Sequence, residues 1–539
     1  MTSETNTPRM DADFVVVGAG SAGAVIASRL SEGGRYRVIL LEAGGEVHPL
    51  SRIPLSYAFF MRKPGVNWLY SSEPEECVAN RRIPLPRGRM IGGSGAINGN
   101  AWVRGNRLDF DQWSQLGNRG WGYDDVLPIF RRIESYEGGD PKVRGRDGPM
   151  RVSTLSSKGR LFDSFFQAIE TIGLKPNEDH NGDEQEGVGM TQASIWRGRR
   201  MSTAECYLKP ARKRDNLIVV TQAMARRLII ENGRCVGVCY ATPSGEALAC
   251  ASREVIVTAG VIGSPQLLEL SGIGAAQHLQ SLGIPVCRDL PGVGENLRDH
   301  FTPRLKWRVG RHGVTLNEQV SGLRSIWHGI SYIFKGTGFP SMPAGALRGF
   351  FRTDSRLEAP DAMFVLQPMF TTPQLTLAKE AGITLATHQL RPESAGSVHI
   401  TDTNPDSKPA IRFNFLASQV DRDCTLAAVK TVRRLLSAPA LRWLDAQETL
   451  PGPEVVSDAQ LLDYIARTAE TAYHPVGTCK MGSDPMAVVD DQLRLHGIAG
   501  LRVADSSIMP TQISGNTNAA TIMIAEKAAQ MILETAGAS

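Results

Sequence analysis

A glycine-rich segment near the N-terminus constrains the fold most strongly, because it joins a strand pattern to a helix pattern. Residues 13–17 form a short, β-branched, apolar strand pattern, Gly18-Ala-Gly-Ser-Ala-Gly23 follows, and residues 24–30 have the apolar spacing of a helix. Residues 36–41 form a second buried strand pattern that ends in Glu42, which completes a βαβ unit of about the expected ~30 residues. The sequence therefore predicts an α/β fold around a parallel sheet.

The glycines of this segment occupy the positions that a dinucleotide-binding turn requires. Gly18 permits the tight turn, Gly20 lets the backbone approach a diphosphate, and Gly23 allows the helix to pack closely on the strand. The unpaired N–H groups at the start of the helix favour negative charge, and Glu42 stands where a carboxylate accepts hydrogen bonds from ribose hydroxyls. The pattern therefore predicts a bound adenine dinucleotide, either FAD or NAD. The alternative, a glycine-rich turn that binds no ligand, is less favoured.

Two further groups of strands are predicted from apolar alternation. The first group should form an antiparallel meander and comprises residues 217–221, 228–230, 235–240 and 254–258. The second group should form one larger antiparallel sheet and comprises residues 351–354, 362–367, 383–388 and 397–401. Residues 501–504 are predicted to form a strand and residues 519–536 a long helix, and both could return to the first sheet. The segment 336–345 is rich in glycine and proline and is predicted to form a long loop.

Charge and cysteine usage exclude several classes of function. The net charge of +4, from 59 basic and 55 acidic residues, gives no strong field for nucleic acid, so we expect the basic stretches at residues 197–200 and 211–215 to be solvated surface. The eight cysteines contain no Cys-x-x-Cys pair, which favours reduced thiols. Cys235 and Cys239 are expected to be buried small side chains, and no metal site is predicted.

Hydropathy gives an expectation about location. The first residues are polar and lack the basic and apolar regions of a signal peptide. No segment reaches the ~18 uninterrupted apolar residues of a membrane span. We therefore expect a cytoplasmic protein without an integral membrane segment.

Five blocks of sequence resemble the glucose-methanol-choline (GMC) flavin oxidoreductases, and they occur in the family's order over nearly the whole chain. They are Gly88-Arg-Met-Ile-Gly-Gly-Ser-Gly-Ala-Ile-Asn98, Gly260-Val-Ile-Gly-Ser-Pro-Gln-Leu-Leu-Glu-Leu-Ser-Gly-Ile-Gly274, Gly292-Val-Gly-Glu-Asn-Leu-Arg-Asp-His300, Tyr473-His-Pro-Val-Gly-Thr-Cys-Lys-Met-Gly482, and Val503-Ala-Asp-Ser-Ser-Ile-Met-Pro510 with Ser514-Gly-Asn-Thr-Asn-Ala-Ala520. The chain is most similar in character to the bacterial choline-dehydrogenase-like alcohol dehydrogenases of this family.

The resemblance implies FAD bound in an extended pose. Ser21, Ala22 and Glu42 would hold the diphosphate and adenosine, and Ala225 would meet the adenine through its backbone. The residues implied around the flavin are Trp68, Gly93, Asn98, Gly99, Asn100, Ala101, Tyr473, Asp505, Asn516 and Thr517. Some members of the family attach the flavin through a histidine at the position that Ile97 occupies here, so we expect non-covalent FAD.

The resemblance also implies the division into domains, in a chain whose 539 residues already predict two. A Rossmann-like FAD-binding domain with a parallel sheet would comprise residues 10–160, 215–305 and 465–537. A substrate-binding domain with a large antiparallel sheet would comprise residues 161–214 and 306–464. The predicted class is α/β in the first domain and α+β overall.

Two residues in the matching blocks are predicted to react with substrate. His474 would be the base, since the ordinary pKa of an imidazole is close to working pH. Asn516 would position the substrate oxygen and stabilise a developing alkoxide without titrating. His300, Asp299 and Asn518 are interpreted as structural residues.

The predicted reaction is oxidation of a primary alcohol to an aldehyde, with hydride transfer to flavin N5 and electrons passed to a quinone or another acceptor. An oxidase that reduces O₂ to hydrogen peroxide is the near alternative; an oxynitrile lyase and a non-catalytic FAD-binding protein are more distant ones. Loop residues Phe59, Phe60, Met61, Phe339, Met342 and Pro343 favour an apolar or aromatic alcohol. The oligomeric state stays open.

Overall fold

The structure is a computed structural model that describes residues 7–156, 158–372 and 376–538, and two large sheets organise it. Their strands in chain order are β1 (Arg9–Val17), β2 (Val38–Leu41), β3 (Gly187–Met190), β4 (Leu217–Val220), β5 (Met224–Glu231), β6 (Arg234–Thr242), β7 (Gly245–Val257), β8 (Arg304–Val309), β9 (Leu347–Phe351), β10 (Ala362–Gln367), β11 (Gly382–Gln389), β12 (Ala446–Leu450) and β13 (Leu501–Val503).

The described part of the chain contains nine longer helices. They are α1 (Ser21–Leu30), α2 (Arg107–Gln115), α3 (Tyr123–Ile133), α4 (Arg160–Ala168), α5 (Gly260–Leu270), α6 (Leu323–Lys335), α7 (Gln419–Leu436), α8 (Asp458–Thr468) and α9 (Asn518–Ala538). Shorter helical segments are Glu32–Gly34, Pro49–Arg52, Pro54–Ser56, Tyr57–Phe60, Glu76–Val78, Gly93–Ala96, Ile169–Ile172, Ala204–Leu208, Lys209–Ala211, Ala276–Ser281, Leu316–Gln319, Phe339–Ser341, Pro439–Leu444 and Ser506–Ile508.

Short two-stranded pairs connect the larger elements. They are Tyr70–Ser71 with Pro84–Leu85, Glu134–Ser135 with Met150–Arg151, Ser153–Thr154 with Gln192–Ala193, Ile195–Trp196 with Arg199–Arg200, Ile273–Gly274 with Arg288–Asp289, Phe301–Thr302 with Glu470–Thr471, and Ser397–His399 with Ala410–Arg412.

The first sheet has the order β4-β2-β1-β7-β6-β5, with β13 also paired to β7. Strands β4, β2, β1, β7 and β13 run parallel, whereas β7, β6 and β5 form an antiparallel meander. The 13-residue strand β7 makes both arrangements possible, because its first half pairs with β6 and its last three residues pair with β13. Helices α1 and α9 pack against each other beside this sheet, so the C-terminal strand and helix do return to it.

Two segments predicted for the antiparallel meander pair in parallel. Residues 254–257, in the last part of β7, pair in parallel with β1 and β13, and only residues 245–250 of β7 pair with β6. The assignment of residues 217–221 to the antiparallel group is wrong, because β4 pairs in parallel with β2, with Leu217 opposite Val38. A Leu-Ile-Val-Val run predicts an extended, half-buried segment, but it carries no information about which strand lies beside it. Here the run covers the otherwise open edge of β2.

The second sheet is antiparallel, with the order β12-β8-β11-β10-β9-β3. Strands β10 and β11 lie where the sequence predicts them, but β9 ends at Phe351, so the predicted strand at residues 351–354 is wrong. Thr353 instead binds the side chain of Asp361 through its N–H and its hydroxyl, which turns the chain out of the sheet. Ser397–His399 is also outside this sheet, because it pairs only with Ala410–Arg412.

The glycine-rich loop follows a helix that the sequence did not predict. Helix α6 ends at Gly336, whose φ of 66° suits the left-handed C-terminal position. The loop at residues 337–345 then contains one short helical turn, Phe339–Ser341. None of the helices in the described part of the chain combines the length and the apolarity needed to cross a bilayer. The predicted domain boundaries stay a prediction, while the two kinds of sheet agree with the predicted fold class.

Candidate active site

A cavity begins at the carboxyl ends of the parallel strands and extends to the face of the second sheet. Gly18 and Glu42 line it at one end, and His474 and Asn516 line it at the other. Every residue predicted to bind the cofactor or the substrate lines this cavity, with the exception of Gly23. Those that line it are Gly18, Gly20, Ser21, Ala22, Glu42, Trp68, Gly93, Asn98, Gly99, Asn100, Ala101, Ala225, Tyr473, His474, Asp505, Asn516 and Thr517.

The glycine-rich turn has the geometry that a diphosphate requires. Gly18 has a φ of 100°, and a Cβ on Gly23 would lie 1.9 Å from the carbonyl oxygen of Gly18, so both positions require glycine. A Cβ on Gly20 would meet no atom within 4 Å, which leaves the backbone open towards the cavity. Helix α1 starts at Ser21 without a side-chain cap. Its first N–H groups can therefore bind an anion, and the turn fits the diphosphate of a dinucleotide.

Glu42 is held at the end of β2 by backbone donors. Its two carboxylate oxygens accept hydrogen bonds from the N–H groups of Ala19 and Gly44, each at 2.8 Å. Burial raises the pKa of Glu42, and the two backbone hydrogen bonds oppose that shift. Each oxygen has a second lone pair, so the carboxylate can still accept from ribose hydroxyls at this position.

The central part of the cavity is built from the first family-like block and from the segment before α9. Arg200 donates to the carbonyl oxygen and the side-chain oxygen of Asn98, at 2.7 and 2.6 Å, and so fixes the start of the Asn98–Ala101 turn. Asp505 accepts from the N–H of Gly260 at 2.9 Å and from the hydroxyl of Ser264 at 2.7 Å. Asp505 thus joins the start of α5 to the C-terminal part of the site.

Two further contacts bear on cofactor binding. Ser21 donates to Asn518 at 2.7 Å, which joins the starts of α1 and α9 and agrees with a structural role for Asn518. Ile97 lines the cavity, is 5% exposed and packs in a cluster with Phe60 and Met90. Its side chain offers no nucleophile to a flavin.

A chain of hydrogen bonds fixes the protonation pattern of His474. Arg348 can only donate, so Asn516 Oδ1 accepts from its Nη1 at 3.2 Å and Asn516 Nδ2 faces His474 Nε2 at 2.7 Å. At the other end, His300 Nε2 donates to the carbonyl of Leu390 at 2.9 Å, so the single ring proton of neutral His300 is on Nε2. His300 Nδ1 therefore has a lone pair, and it accepts a hydrogen bond from His474 Nδ1 at 3.1 Å. Both ends require the same tautomer: His474 carries its proton on Nδ1 and a lone pair on Nε2, beside Asn516.

Buried anchors hold the two imidazoles together. Asp299 Oδ1 accepts from the N–H groups of His300 and His474, at 2.7 and 2.9 Å, and its second oxygen accepts from Thr471. Burial raises the pKa of Asp299 to about 7, against the effect of these hydrogen bonds. The antiparallel pair Phe301–Thr302 and Glu470–Thr471 brings these distant parts of the sequence together.

The electrostatic surroundings keep His474 neutral. Burial lowers the pKa of His474 well below its ordinary value, and the neighbouring His300 and Arg348 act in the same direction. Burial also lowers the pKa of His300 to about 4. Both imidazoles are therefore neutral at neutral pH. The lone pair of His474 Nε2, which here accepts from Asn516 Nδ2, can accept a proton only from a group that replaces this contact.

Three residues of this region were not predicted to take part in the site. His300 was interpreted as structural only, yet it contacts His474 directly, and His388 stacks on His300 with ring centroids 4.6 Å apart. Arg348, on β9, was not considered. Alternation on β9 and β11 predicts two faces for each strand, but a single strand does not indicate which face lines a cavity.

The residues used to predict an apolar or aromatic substrate are mostly elsewhere. Met61 lines the cavity, whereas Phe59 is 46% exposed and Phe60 lies in the buried cluster around Ile97. Phe339, Met342 and Pro343 are not among its lining residues.

Two side-chain clusters have the composition of a metal site. The ring nitrogens of His300, His388 and His474 lie within 4.8 Å of one another, but both nitrogens of His474 are already hydrogen-bonded. The other cluster, also among the described residues, is Glu269, His278 and His399. In it His399 bonds to Glu269 at 2.7 Å and to Glu295, outside the cluster, at 3.0 Å, and His278 Nε2 bonds to the carbonyl of Ile400 at 3.1 Å. The absence of a metal stays a prediction.

Comparison with known proteins gives matches over nearly the whole chain. The models for the N-terminal and C-terminal parts of GMC oxidoreductases match residues 12–302 and 392–525. A protein of Sinorhizobium medicae named oxygen-dependent choline dehydrogenase is 41% identical over 533 residues, which cover 97% of this chain and 96% of the relative. A protein of the same name from Rhizobium etli is 42% identical over 531 residues, with the same coverage.

Solved structures also superpose on nearly the whole chain. Pyridoxine 4-oxidase from Mesorbium loti superposes with a TM-score of 0.87 at 31% identity, covering 96% of this chain and 98% of that protein. A formate oxidase from Aspergillus oryzae superposes with a TM-score of 0.91 at 27% identity, covering 98% of this chain and 99% of that protein.

Proposed function

Because the chain belongs to the GMC oxidoreductase family, we propose that it oxidises a primary alcohol to an aldehyde, with His474 as the base and Asn516 as its neutral partner. The observation that carries this proposal is the 2.7 Å contact between Asn516 Nδ2 and the lone pair of His474 Nε2 at the cavity wall. A substrate hydroxyl that replaces this direct contact, with the two side chains moved apart, would meet one proton acceptor and one donor.

Several sequence-based predictions are confirmed by the family matches and the superpositions. The chain is an FAD-dependent oxidoreductase that acts on CH–OH donors. Its fold class is the predicted one, with a Rossmann-like FAD-binding part and an antiparallel sheet in the substrate part.

The proposed step divides the chemistry between the cofactor and the protein. FAD, held along the cavity by the residues named below, would supply the two-electron acceptor for the hydride of the carbinol carbon. His474 Nε2 takes the hydroxyl proton, so the alcohol loses a proton and a hydride and becomes the aldehyde. Asn516 Nδ2 donates to the substrate oxygen as negative charge develops there. The hydrogen bond from His474 Nδ1 to His300 keeps the ring oriented throughout.

The proposed cofactor contacts follow from the cavity lining. The turn at Gly18–Gly23 and the start of α1 would hold the diphosphate, Glu42 the ribose, and Ala225 the adenine. The Asn98–Ala101 turn, Trp68, Tyr473, Asp505 and Thr517 would surround the flavin. Non-covalent binding is part of the proposal, because Ile97 has no atom that can bond to the flavin.

The electron acceptor separates two versions of this function. We propose a quinone or another carrier as acceptor. The name of the relatives, oxygen-dependent choline dehydrogenase, supports O₂ as the second candidate. Measuring hydrogen peroxide during turnover in air distinguishes them: stoichiometric peroxide identifies an oxidase, and its absence together with reduction of a quinone identifies a dehydrogenase.

Anaerobic reduction of the bound flavin by a panel of primary alcohols tests the reaction itself. Bleaching of the flavin absorbance with formation of the aldehyde is the expected result. If no alcohol reduces the flavin while a cyanohydrin is cleaved, the protein is an oxynitrile lyase and the redox proposal is wrong. If neither reaction occurs, a non-catalytic FAD-binding protein is the remaining alternative.

A further inference from the structure

One face of the second sheet forms a wall of the cavity, and this face carries two arginine side chains. Arg348 lies opposite Val365, Val365 lies opposite Ala386, and Ala386 lies opposite Arg304 in the strand registers. All four line the cavity, and they form a single cross-strand row over β9, β10, β11 and β8. Small apolar side chains therefore separate two arginines, and the row ends in Arg348 beside the Asn516–His474 pair.

Arg348 has no anionic partner among the described residues. It is 4% exposed, its Nη1 donates to the neutral amide of Asn516, and its Nε has no hydrogen-bond acceptor. Burial lowers the pKa of Arg348 to about 10, so it is still a cation at neutral pH. Arg304, at the other end of the row, differs because it forms an ion pair with Glu470 at 3.3 Å.

An unpaired buried cation is expensive unless a ligand supplies the opposite charge. The carboxylates that line the cavity are those of Glu42 and Asp505. Glu42 is at the end of β2, beside the glycine-rich turn, and Asp505 is bound to Gly260 and Ser264. Neither is hydrogen-bonded to Arg348. The diphosphate of the proposed FAD would lie at the other end of the cavity, beside Gly18, so an anion that pairs with Arg348 would come with the substrate.

We propose that the alcohol substrate carries a carboxylate group, and that Arg348 binds this carboxylate while His474 and Asn516 hold the hydroxyl. This inference rests on the proposed alcohol oxidation. The guanidinium and the imidazole are bonded to the two ends of one amide group, that of Asn516. The carboxylate must therefore lie within a few bonds of the carbinol carbon, as in short hydroxy acids. The assignment replaces the apolar or aromatic alcohol favoured by the loop residues.

The same geometry disfavours a cationic alcohol. Choline, which appears in the names of the relatives, has a quaternary ammonium two carbons from its hydroxyl oxygen. That group would lie close to Arg348, and like charges in a buried site repel strongly. Neither of the two lining carboxylates is free to compensate it.

The test compares substrates matched in size and different in charge, using the FAD-loaded protein. The rate of anaerobic flavin reduction is measured with 3-hydroxypropanoate and glycolate, with neutral 1,3-propanediol and ethylene glycol, and with choline. Binding of the unreactive propanoate is measured separately by its perturbation of the flavin absorbance spectrum. Three variants are compared with wild type: Arg348→Gln, Arg348→Lys, and Arg352→Gln as a control. Arg352 is four residues away, more exposed, and paired with Glu186.

Wild type should reduce its flavin at least ~10²-fold more efficiently with a hydroxy acid than with the matched diol, as expected for a charge-assisted contact in a buried site. Arg348→Gln should remove this preference and abolish the propanoate perturbation. Arg348→Lys should keep much of both, because it keeps the charge. Arg352→Gln should behave as wild type.

Other outcomes overturn the proposal. If diols and hydroxy acids reduce the flavin equally well, or choline is the best substrate, Arg348 does not select a carboxylate. If Arg348→Gln slows all alcohols equally and propanoate binding is unchanged, Arg348 acts only through Asn516 on the reacting oxygen. If no alcohol of any charge reduces the flavin, the proposed alcohol oxidation is wrong. The propanoate measurement still tests carboxylate binding in that case, because it does not depend on turnover.

Discussion

The contact between His300 and His474 leads to a quantitative prediction. In the structure, His300 Nδ1 accepts the proton on His474 Nδ1, and this keeps the lone pair on His474 Nε2. His300→Leu removes the acceptor and leaves a buried N–H group without a partner. Such a loss costs about 1–3 kcal/mol, and His474 can avoid the cost by moving its proton to Nε2, where it blocks proton acceptance from the substrate.

If this energy appears fully in the barrier, the rate of flavin reduction falls roughly 5- to 150-fold. The assay is stopped-flow reduction of the flavin under anaerobic conditions, with FAD content measured beforehand. Because both tautomers are neutral, the loss should be the same from pH 7 to pH 9. His300→Asn is the matched control, since its side-chain oxygen can take the position of the accepting ring nitrogen and should preserve most of the rate.

Two results would refute the reasoning about the tautomer. The first is a His300→Leu protein that binds FAD fully and reduces it as fast as wild type. The second is a His300→Asn protein as slow as His300→Leu, since that would show that the imidazole ring matters for packing and not as an acceptor.

Two further predictions concern other parts of the chain. Glu42→Gln removes the charge and one acceptor from a buried carboxylate that is bonded to two backbone N–H groups. FAD affinity, measured by fluorescence titration, should therefore fall about 10- to 100-fold. Glu46→Gln, at an exposed ion pair, should leave FAD affinity unchanged. Although burial opposes it, hydrogen bonds to Glu269 and Glu295 raise the pKa of His399 to about 9. Because His399 binds its proton more tightly in the folded state, protonation of His399 stabilises the fold. This contribution to the free energy of unfolding, up to about 3 kcal/mol, is complete below the unfolded-state pKa of about 6.5 and should disappear as the pH rises through 9. Urea unfolding at pH 6.5 and pH 9.5 should show that loss in wild type and not in His399→Gln; equal pH dependence in both proteins would contradict the assignment.

Local patterns were sufficient to predict the first βαβ unit. The turn at Gly18–Gly23 requires glycine for reasons that involve only its own backbone and the adjoining strand and helix. Glu42 follows directly from the end of β2. For this reason local patterns identified Gly18, Gly20 and Glu42, which line the cavity, and Gly23, which supports the packing and does not line it. Their contacts with FAD stay a prediction.

Contacts between distant segments were not predictable in the same way. The strand at residues 217–220 could be recognised, but its parallel partner β2 depends on which sheet edge is open. His300 and His474 meet because two short segments, Phe301–Thr302 and Glu470–Thr471, pair across the molecule. Arg348 lines the cavity because of the face that β9 presents in the second sheet, and strand alternation alone permits either face.

The most direct test of the central claim is anaerobic flavin reduction by the His474→Ala protein with an alcohol that reduces the wild-type flavin. The rate should be at least ~10²-fold lower, the usual scale for losing a general base, with FAD still bound. His312→Ala, at a histidine whose side chain is 99% exposed, should reduce its flavin as wild type does. Unchanged flavin reduction in His474→Ala would contradict the assignment of His474 as the base.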